Sequence, residues 1–216
     1  MKKIFNKIVI TLFITTATIP AYSAIISVSG PLSSLGGTAE IISPPKSVND
    51  DAEFLNSYNT AQQGFNEKQQ INLIRDILVD GGSISQGTLV SSHMIFLNTG
   101  PGHDTTFSSH QDVLWTFDDI ILGVMSNFNA SYEVDSTDLL GSDLTTYPLN
   151  NSSGRGLDSS SLDSYSISGS SLTLSMGVTE PGDWIRVVTA AKIPEPTSIL
   201  LMIAGLLSLR FKIRHQ

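Results

Sequence analysis

The chain has 216 residues, 40% of them apolar, with no cysteine and with 20 acidic against 12 basic residues. Three basic residues precede position 8 and three follow position 209, so residues 24–193 hold six Lys/Arg against 19 Asp/Glu, a net charge of −13. A domain this acidic repels phosphate backbones and anionic lipid, which excludes nucleic acid as a partner. The lack of cysteine excludes disulfides, thiol chemistry and Cys-ligated metals.

Lys2, Lys3 and Lys7 form a basic start, Ile8 to Ile19 an apolar stretch, and Ala21-Tyr22-Ser23-Ala24 a short run of mostly small residues. That order and length describe a secretory signal peptide. Cleavage after Ser23 places Ala21 and Ser23 at the small-residue positions, whereas cleavage after Ala24 places the bulkier Tyr22 there. The expected boundary is therefore Ser23/Ala24, with residues 1–23 removed. A permanent anchor is the alternative, and Pro20 and the threonines that interrupt the apolar stretch argue against it.

About 170 residues remain for one body, enough to bury a single core without covalent staples. Its pattern is β. Gln70 to Leu73, Ile77 to Val79, Gly87 to Val90, His93 to Leu97, Asp112 to Phe117 and Ile120 to Met125 are short runs bounded by turn residues. Ser164 to Ile167 and Ser171 to Met176 alternate, with Ser168-Gly169-Ser170 between them reading as a hairpin turn. Trp184 to Thr189 supplies a last strand after the turn signal Glu180-Pro181-Gly182-Asp183. Helical periodicity is weak: Asp51 to Gln62 suggests a short helix and Ser136 to Leu140 a turn or two. Gly141 to Ser161 holds few apolar residues and reads as a surface loop. The expected fold is all-β, a single antiparallel β-sandwich of jelly-roll type over residues 24–193, flanked by a signal peptide and a C-terminal hydrophobic helix.

Few residues in the body suggest chemistry. Gly100-Pro101-Gly102-His103-Asp104, followed by His110 and Asp112, brings two imidazoles and two carboxylates close in sequence. The spacing fixes no geometry and matches neither a metalloprotease helix nor a nucleophile elbow, so a solvated loop is the expectation. His93, among apolar residues, reads as a strand histidine with satisfied nitrogens. Asp118-Asp119 and Asp135-Ser136-Thr137-Asp138 offer hard oxygens of the kind Ca²⁺ takes, without a calcium-loop pattern around them. Trp115 and Trp184 have the shape to stack on sugars, but a strand tryptophan belongs more often to a core. The N-x-S/T matches at Asn129, Asn150 and Asn151 are expected by chance in a chain rich in Ser and Asn.

The tail, residues 194–216, is the most specific segment. Pro194 and Pro196 fix φ and hold Glu195 on a stiff, extended strip. The thirteen residues Thr197 to Leu209 are apolar and would make a helix about 20 Å long. Continuing to Ile213, with Arg210 and Lys212 reaching outward, brings that length nearer to a hydrocarbon core of about 30 Å. Arg210, Lys212 and Arg214 would lie on the cytoplasmic side and the Pro-Glu-Pro strip on the other.

Pro194-Glu195-Pro196, the apolar run and the basic end resemble the PEP-CTERM sorting signal of Gram-negative bacteria, a segment also catalogued as an ice-binding protein C-terminal domain. The resemblance implies recognition by an exosortase, an integral-membrane cysteine transpeptidase that cuts near the tripeptide. It also implies transient insertion in the inner membrane and export tied to the cell surface, extracellular polysaccharide or biofilm matrix. It implies nothing about ice, because the tail is a shared address. Residues 65–190 are similar to the body of one recurrent group of PEP-CTERM proteins. The similarity runs through Phe65-Asn66-Glu67-Lys68-Gln69, Val90 to Asn98, Thr116-Phe117-Asp118 with Ile121 to Met125, and Glu180 to Arg186. It implies a domain type and no activity.

The combined expectation is an exported protein without catalytic residues, metal or cofactor, whose sandwich is its working surface. Two alternatives stand beside it. One is a module for extracellular polysaccharide, assisted by Ca²⁺, which exposed tryptophans in a groove would favour. The other is a secreted hydrolase, which needs His103, Asp104, His110 or Asp112 to converge.

Overall fold

The computed structural model describes residues 24–49, 59–99, 106–148, 154–158 and 162–191. Within them the chain forms strands β1 (Ile25–Ser29), β2 (Glu40–Ile41), β3 (Gln63–Asn66), β4 (Ile71–Asn72), β5 (Ile77–Val79), β6 (Gly82–Ile84), β7 (Leu89–Leu97), β8 (Ser108–Phe117) and β9 (Ile121–Met125). Helix α1 (Ser131–Leu140) follows, and then β10 (Ser164–Ser168), β11 (Ser171–Val178) and β12 (Asp183–Ala190). The fold is all-β, as the strand pattern predicts. Of the two main sheets, the smaller has the order β1-β8-β11-β10 and the larger has β2-β3-β7-β12-β9 with β4 also on β7, while β5 and β6 form a separate two-stranded sheet. Pairing is antiparallel except between β2 and β3, which run parallel.

The two sheets meet over one core. Val113, Trp115, Leu172 and Leu174 come from the smaller sheet, and Ile95, Leu97, Ile185 and Val187 from the larger. Trp115 is fully buried. Removing its ring from water supplies about 4–6 kcal/mol as an upper bound.

The larger sheet is covered on both faces, which the alternating pattern of a half-wet sandwich does not anticipate. Odd positions of β12 face the smaller sheet. Its even positions Trp184 and Val188 join two further clusters, with Phe65, Met94, Phe96 and Tyr147 in one and Val90, Met125 and Leu140 in the other. Successive side chains of a strand point to opposite faces, so the unbroken burial of β7 and β12 means cover on both sides. Helix α1 and the segment around Tyr147 provide part of that cover.

That finding corrects the surface-loop expectation for part of 141–161, of which 149–153 and 159–161 lie outside the described residues. Tyr147, Arg155 and Leu157 are all buried, and Tyr147 stacks on Trp184 with ring centres 6.1 Å apart. Two aromatic and aliphatic anchors in a polar stretch suffice to dock it. The short turn expected at 136–140 is likewise a longer helix that starts at Ser131. The Asn127 side chain accepts the Tyr132 N–H and donates to Ser131 Oγ, while Asn129 Oδ1 accepts the Ser131 N–H. These bonds satisfy first-turn amides that would otherwise be orphaned. The helix expected at 51–62 falls mainly outside the described residues; Asn59 to Gln62, at its end, are not helical.

The hairpin turn reads correctly: Ser168 pairs with Ser171 around Gly169-Ser170, and Gly169 has φ +63°. In β8 the register slips by one residue between His110 and Val113, opposite Leu174 and Met176. Asp112 occupies this bulge with φ +56° and donates its N–H to Ser175 Oγ at 2.9 Å. The extra residue lets both His110 and Val113 point inward despite their odd spacing.

Candidate functional site

The densest polar constellation is buried beneath α1. Arg186 sits at an even position of β12, and Glu67 immediately follows β3, so both lie on the outer face of the larger sheet. Arg186 Nε donates to Glu67 Oε2 at 2.7 Å and Nη2 to Glu67 Oε1 at 2.9 Å, with both side chains fully buried. The remaining donors reach α1: Nη1 goes to Glu133 O at 2.6 Å and Ser136 Oγ at 2.8 Å, and Nη2 also to Thr137 Oγ1 at 3.2 Å. A guanidinium has five N–H groups, and all five have acceptors here. Glu67 additionally accepts from Ser92 Oγ at 2.6 Å and Tyr147 Oη at 2.7 Å. Burial opposes the Arg186 charge, but the Glu67 carboxylate outweighs it and the guanidinium is held still more firmly protonated. Burial and the same carboxylate push the Tyr147 phenol up. This arrangement ties β3, β7, β12, α1 and the Tyr147 segment together.

Glu133, one turn into α1, differs from its neighbours. It is fully buried, and neither carboxyl oxygen has a hydrogen-bond partner. Burial raises its pKa to about 8; the nearby Arg186 lowers it, and Asp80 and Glu67 raise it further. At neutral pH it is mainly a neutral acid. A titratable group held this way is a candidate acid–base residue, but a proton donor must reach substrate, and Glu133 is sealed from solvent.

The two described histidines are also internal. His93 on β7 has Nδ1 2.8 Å from Asn66 Oδ1 and Nε2 3.1 Å from Thr189 Oγ1. Its burial lowers its pKa to about 3, against a small opposing pull from Asp118. It is the satisfied strand histidine that its apolar surroundings predict. His110 departs from the solvated-loop expectation, because it belongs to β8 and is fully buried. Its Nδ1 accepts the Gln62 N–H at 3.1 Å and its Nε2 donates to Pro31 O at 2.9 Å, which fixes the tautomer. Gln62 is the centre of this second network. Its amide donates to the His110 and Leu174 carbonyls, and its Oε1 accepts the Trp115 indole N–H at 2.9 Å.

The other sequence-nominated residues are dispersed. Asp112 occupies the bulge, and His103 and Asp104 lie outside the described residues. Asp138 receives two guanidinium bonds from Arg75, at 2.6 and 3.0 Å, and this holds its carboxyl below the usual range. Asp118 Oδ1 accepts the Ala24 N–H, and Asp119 Oδ1 accepts the Ile120 N–H. Among the described residues, no group of three or more His, Asp or Glu is placed to hold a metal ion. Trp115 and Trp184 are core residues, so neither offers a stacking face to a sugar. Asn129 Oδ1 accepts the Ser131 N–H at the start of α1, while Asn150 and Asn151 lie outside the described residues.

Several surface clefts open among the described residues. One, of about 210 Å³, opens between Arg75, Asp76, Leu78, Tyr132 and Asp135. Another, of about 410 Å³, opens beside Ser126, Phe128, Asp163 and Tyr165. A third, of about 340 Å³, is lined by Lys68, Thr137, Asp138, Ser142 and Tyr147, and there Lys68 Nζ is held by Asp143 at 2.9 Å. None of these linings contains a histidine, and the lysine is taken up in an ion pair. The Tyr165 phenol is pushed up by burial and by Asp80, whose Oδ2 it meets at 2.9 Å.

Ala24 is the first described residue; Ser23, Pro194, Glu195, Pro196, Arg210, Lys212 and Arg214 lie outside the described set. Among the described residues no helix is long and apolar enough to cross a membrane. No family model, no curated protein and no solved structure matches the chain.

The Arg186–Glu67 pair escaped the sequence reading although both residues stand in quoted motifs. An arginine inside Trp184-Ile185-Arg186-Val187-Val188 was the available signal, since a charge in a fully apolar strand needs a buried partner.

Proposed function

We propose that the chain is an exported protein, sorted by an exosortase-type transpeptidase to the cell surface or the extracellular polysaccharide matrix, whose β-sandwich acts there without catalysis. The observation that carries the reading is the order of the tail: a Pro-Glu-Pro strip, an apolar run and a basic terminal cluster. The leader-like start supports it independently. Only Ala191, Lys192 and Ile193 separate the last strand from Pro194. A cutting enzyme would therefore find the tripeptide directly after the folded body and in front of the hydrophobic segment.

The body suits a passive role in an exposed place. Its polar networks join sheets and helix and are closed to solvent, so they serve cohesion. The excess of carboxylates favours a hydrated, non-aggregating surface. Intact-mass measurement of the protein recovered from outside the inner membrane tests the reading. Loss of both residues 1–23 and the basic C-terminal segment is expected. A recovered species that still ends at Gln216 overturns it.

A further inference from the structure

We infer that cleavage of the Ser23–Ala24 bond arms an intramolecular latch, in which the new α-ammonium of Ala24 is received by the carboxylate of Asp118 and pins β1 to the edge of the smaller sheet. The inference rests on the proposed leader boundary and adds what the cut accomplishes for the fold.

The geometry is already in place. The Ala24 nitrogen lies 2.8 Å from Asp118 Oδ1, and the Asp118 N–H donates back to Ala24 O at 3.1 Å. One residue on, the Ile25 N–H donates to Asn66 Oδ1 at 3.0 Å, and the Ile25 side chain enters the core beside Trp115. Pairing of β1 with β8 starts at Ile25 opposite Phe117. The first residue of the strand and its predecessor are thus each held by a side chain from another element.

Before cleavage, the Ala24 nitrogen is an amide with a single proton and no charge. Hydrolysis breaks the Ser23 C–N bond. Water supplies the hydroxyl to the Ser23 carbonyl, and the products near neutral pH are a Ser23 carboxylate and an Ala24 ammonium. The hydrogen bond to Asp118, already made to an ionised carboxylate, gains a charged donor and becomes an ion pair in which both partners carry charge. The match is specific to one position. A chain beginning at Ile25 lacks the nitrogen, and one beginning at Ser23 moves the charge by one residue, about 3.8 Å along the backbone.

Among the described residues, the charged and titratable groups around the latch are few. Asp118 and Asp119 stand on the β8–β9 turn, with Asp119 Oδ1 engaged by its own chain at Ile120. On β7, His93 lies within electrostatic reach of Asp118 and stays neutral because it is buried. β3 contributes the uncharged Asn66. Asp118 is therefore the group that sets the sign. An α-amino group ordinarily titrates near 8, and an adjacent carboxylate raises that value. A raised folded-state value means the latch is fully engaged below about pH 8 and is lost as pH rises through the raised value.

The test uses the chain from Ala24 to Gln216 in mild detergent, in three forms: with a free amine, with the amine acetylated, and with Ser23 retained. Acetylation keeps an N–H and removes only the charge, so it leaves every side chain intact. We expect the Ala24 amine, followed by ¹⁵N NMR, to titrate about one unit above the ordinary value, and to return to it in D118N. Hydrogen exchange of the β1 amides at pH 7 should be several-fold slower in the free-amine form than in the other two, and the gap should close near pH 10. Equal amine titration in native protein and D118N, or β1 exchange indifferent to acetylation, overturns the latch. The leader boundary is tested separately by N-terminal sequencing of the exported protein, and a cut elsewhere refutes the boundary without altering the amine titration.

Discussion

Arg186 and Glu67, 119 positions apart in sequence, meet in a two-pronged ion pair from which water is excluded. Removing one partner leaves the other charged and unpaired in a closed site, at a cost of about 3–5 kcal/mol. Arg186→Met and Glu67→Gln should each lower the unfolding free energy by that measure, read from urea titrations. The double variant Arg186→Met/Glu67→Leu should recover a large part of the loss, because it leaves no orphan charge. A double variant as weak as the sum of the singles would contradict the account.

Glu133 and His93 predict a shaped dependence of stability on pH. Glu133 titrates near 8 when folded and near 4.5 when unfolded, so its contribution falls as pH rises between those values. His93 titrates near 3 folded and near 6.5 unfolded, so its contribution falls as pH drops between those values. The two slopes, each about 1.4 kcal/mol per pH unit, oppose one another from about pH 4.5 to 6.5 and act alone outside that window. Relative to the native protein, Glu133→Gln should gain stability progressively from pH 5 to 8, as read from urea midpoints. An unchanged difference across that range would show that Glu133 is not a buried acid.

Close approach of the sheets makes a third prediction. A methyl group on Gly64 of β3 would lie 2.5 Å from the Trp115 ring. Gly64→Ala should therefore destabilise by about 1–3 kcal/mol, because the buried indole has to move and its bond to Gln62 must stretch. Thermal unfolding followed by tryptophan fluorescence would report both effects, and a neutral outcome would mean that the sheets separate freely.

The tail carries the fourth. Replacing Pro194, Glu195 and Pro196 by alanine removes the extended strip and lets a helix beginning at Thr197 grow backwards. Unprocessed protein should then accumulate in the inner membrane, seen by fractionation and blotting. Neutralising Arg210, Lys212 and Arg214 should loosen topology instead, with the strip still readable. Normal processing of the triple-alanine chain would remove the basis of the proposed sorting.

What could be read in the sequence follows the physics of each element. β5, β9, β11 and β12 are rich in branched or alternating apolar residues, and their centres lie where the pattern put them. β1, β2, β3 and β6 were not found. Gln63-Gly64-Phe65-Asn66 has little strand propensity of its own, and it pairs because β7 beside it leaves a ladder to be filled. Helix α1 was undercounted because its start depends on two asparagine side chains and not on apolar spacing. His93 was legible from its neighbours alone. His110 was not, since the bulge at Asp112, two residues later, decides which way it faces. The burial of Arg155 and Tyr147 depends on covering a second face of the larger sheet, and no local pattern encodes that.

The place of β12 also governs the order in which the body can assemble. It alone bridges β7 to β9, so β9 has no neighbour in the larger sheet until residues 183–190 are present. A chain made N-terminus first therefore leaves β9 without a partner in that sheet until almost the whole body has been made, and the long-range pairing that places it comes late and slowly. Truncation anywhere before Asp183 removes β12 and leaves β9 without a partner strand in the larger sheet, so that sheet is completed only when the whole body is present.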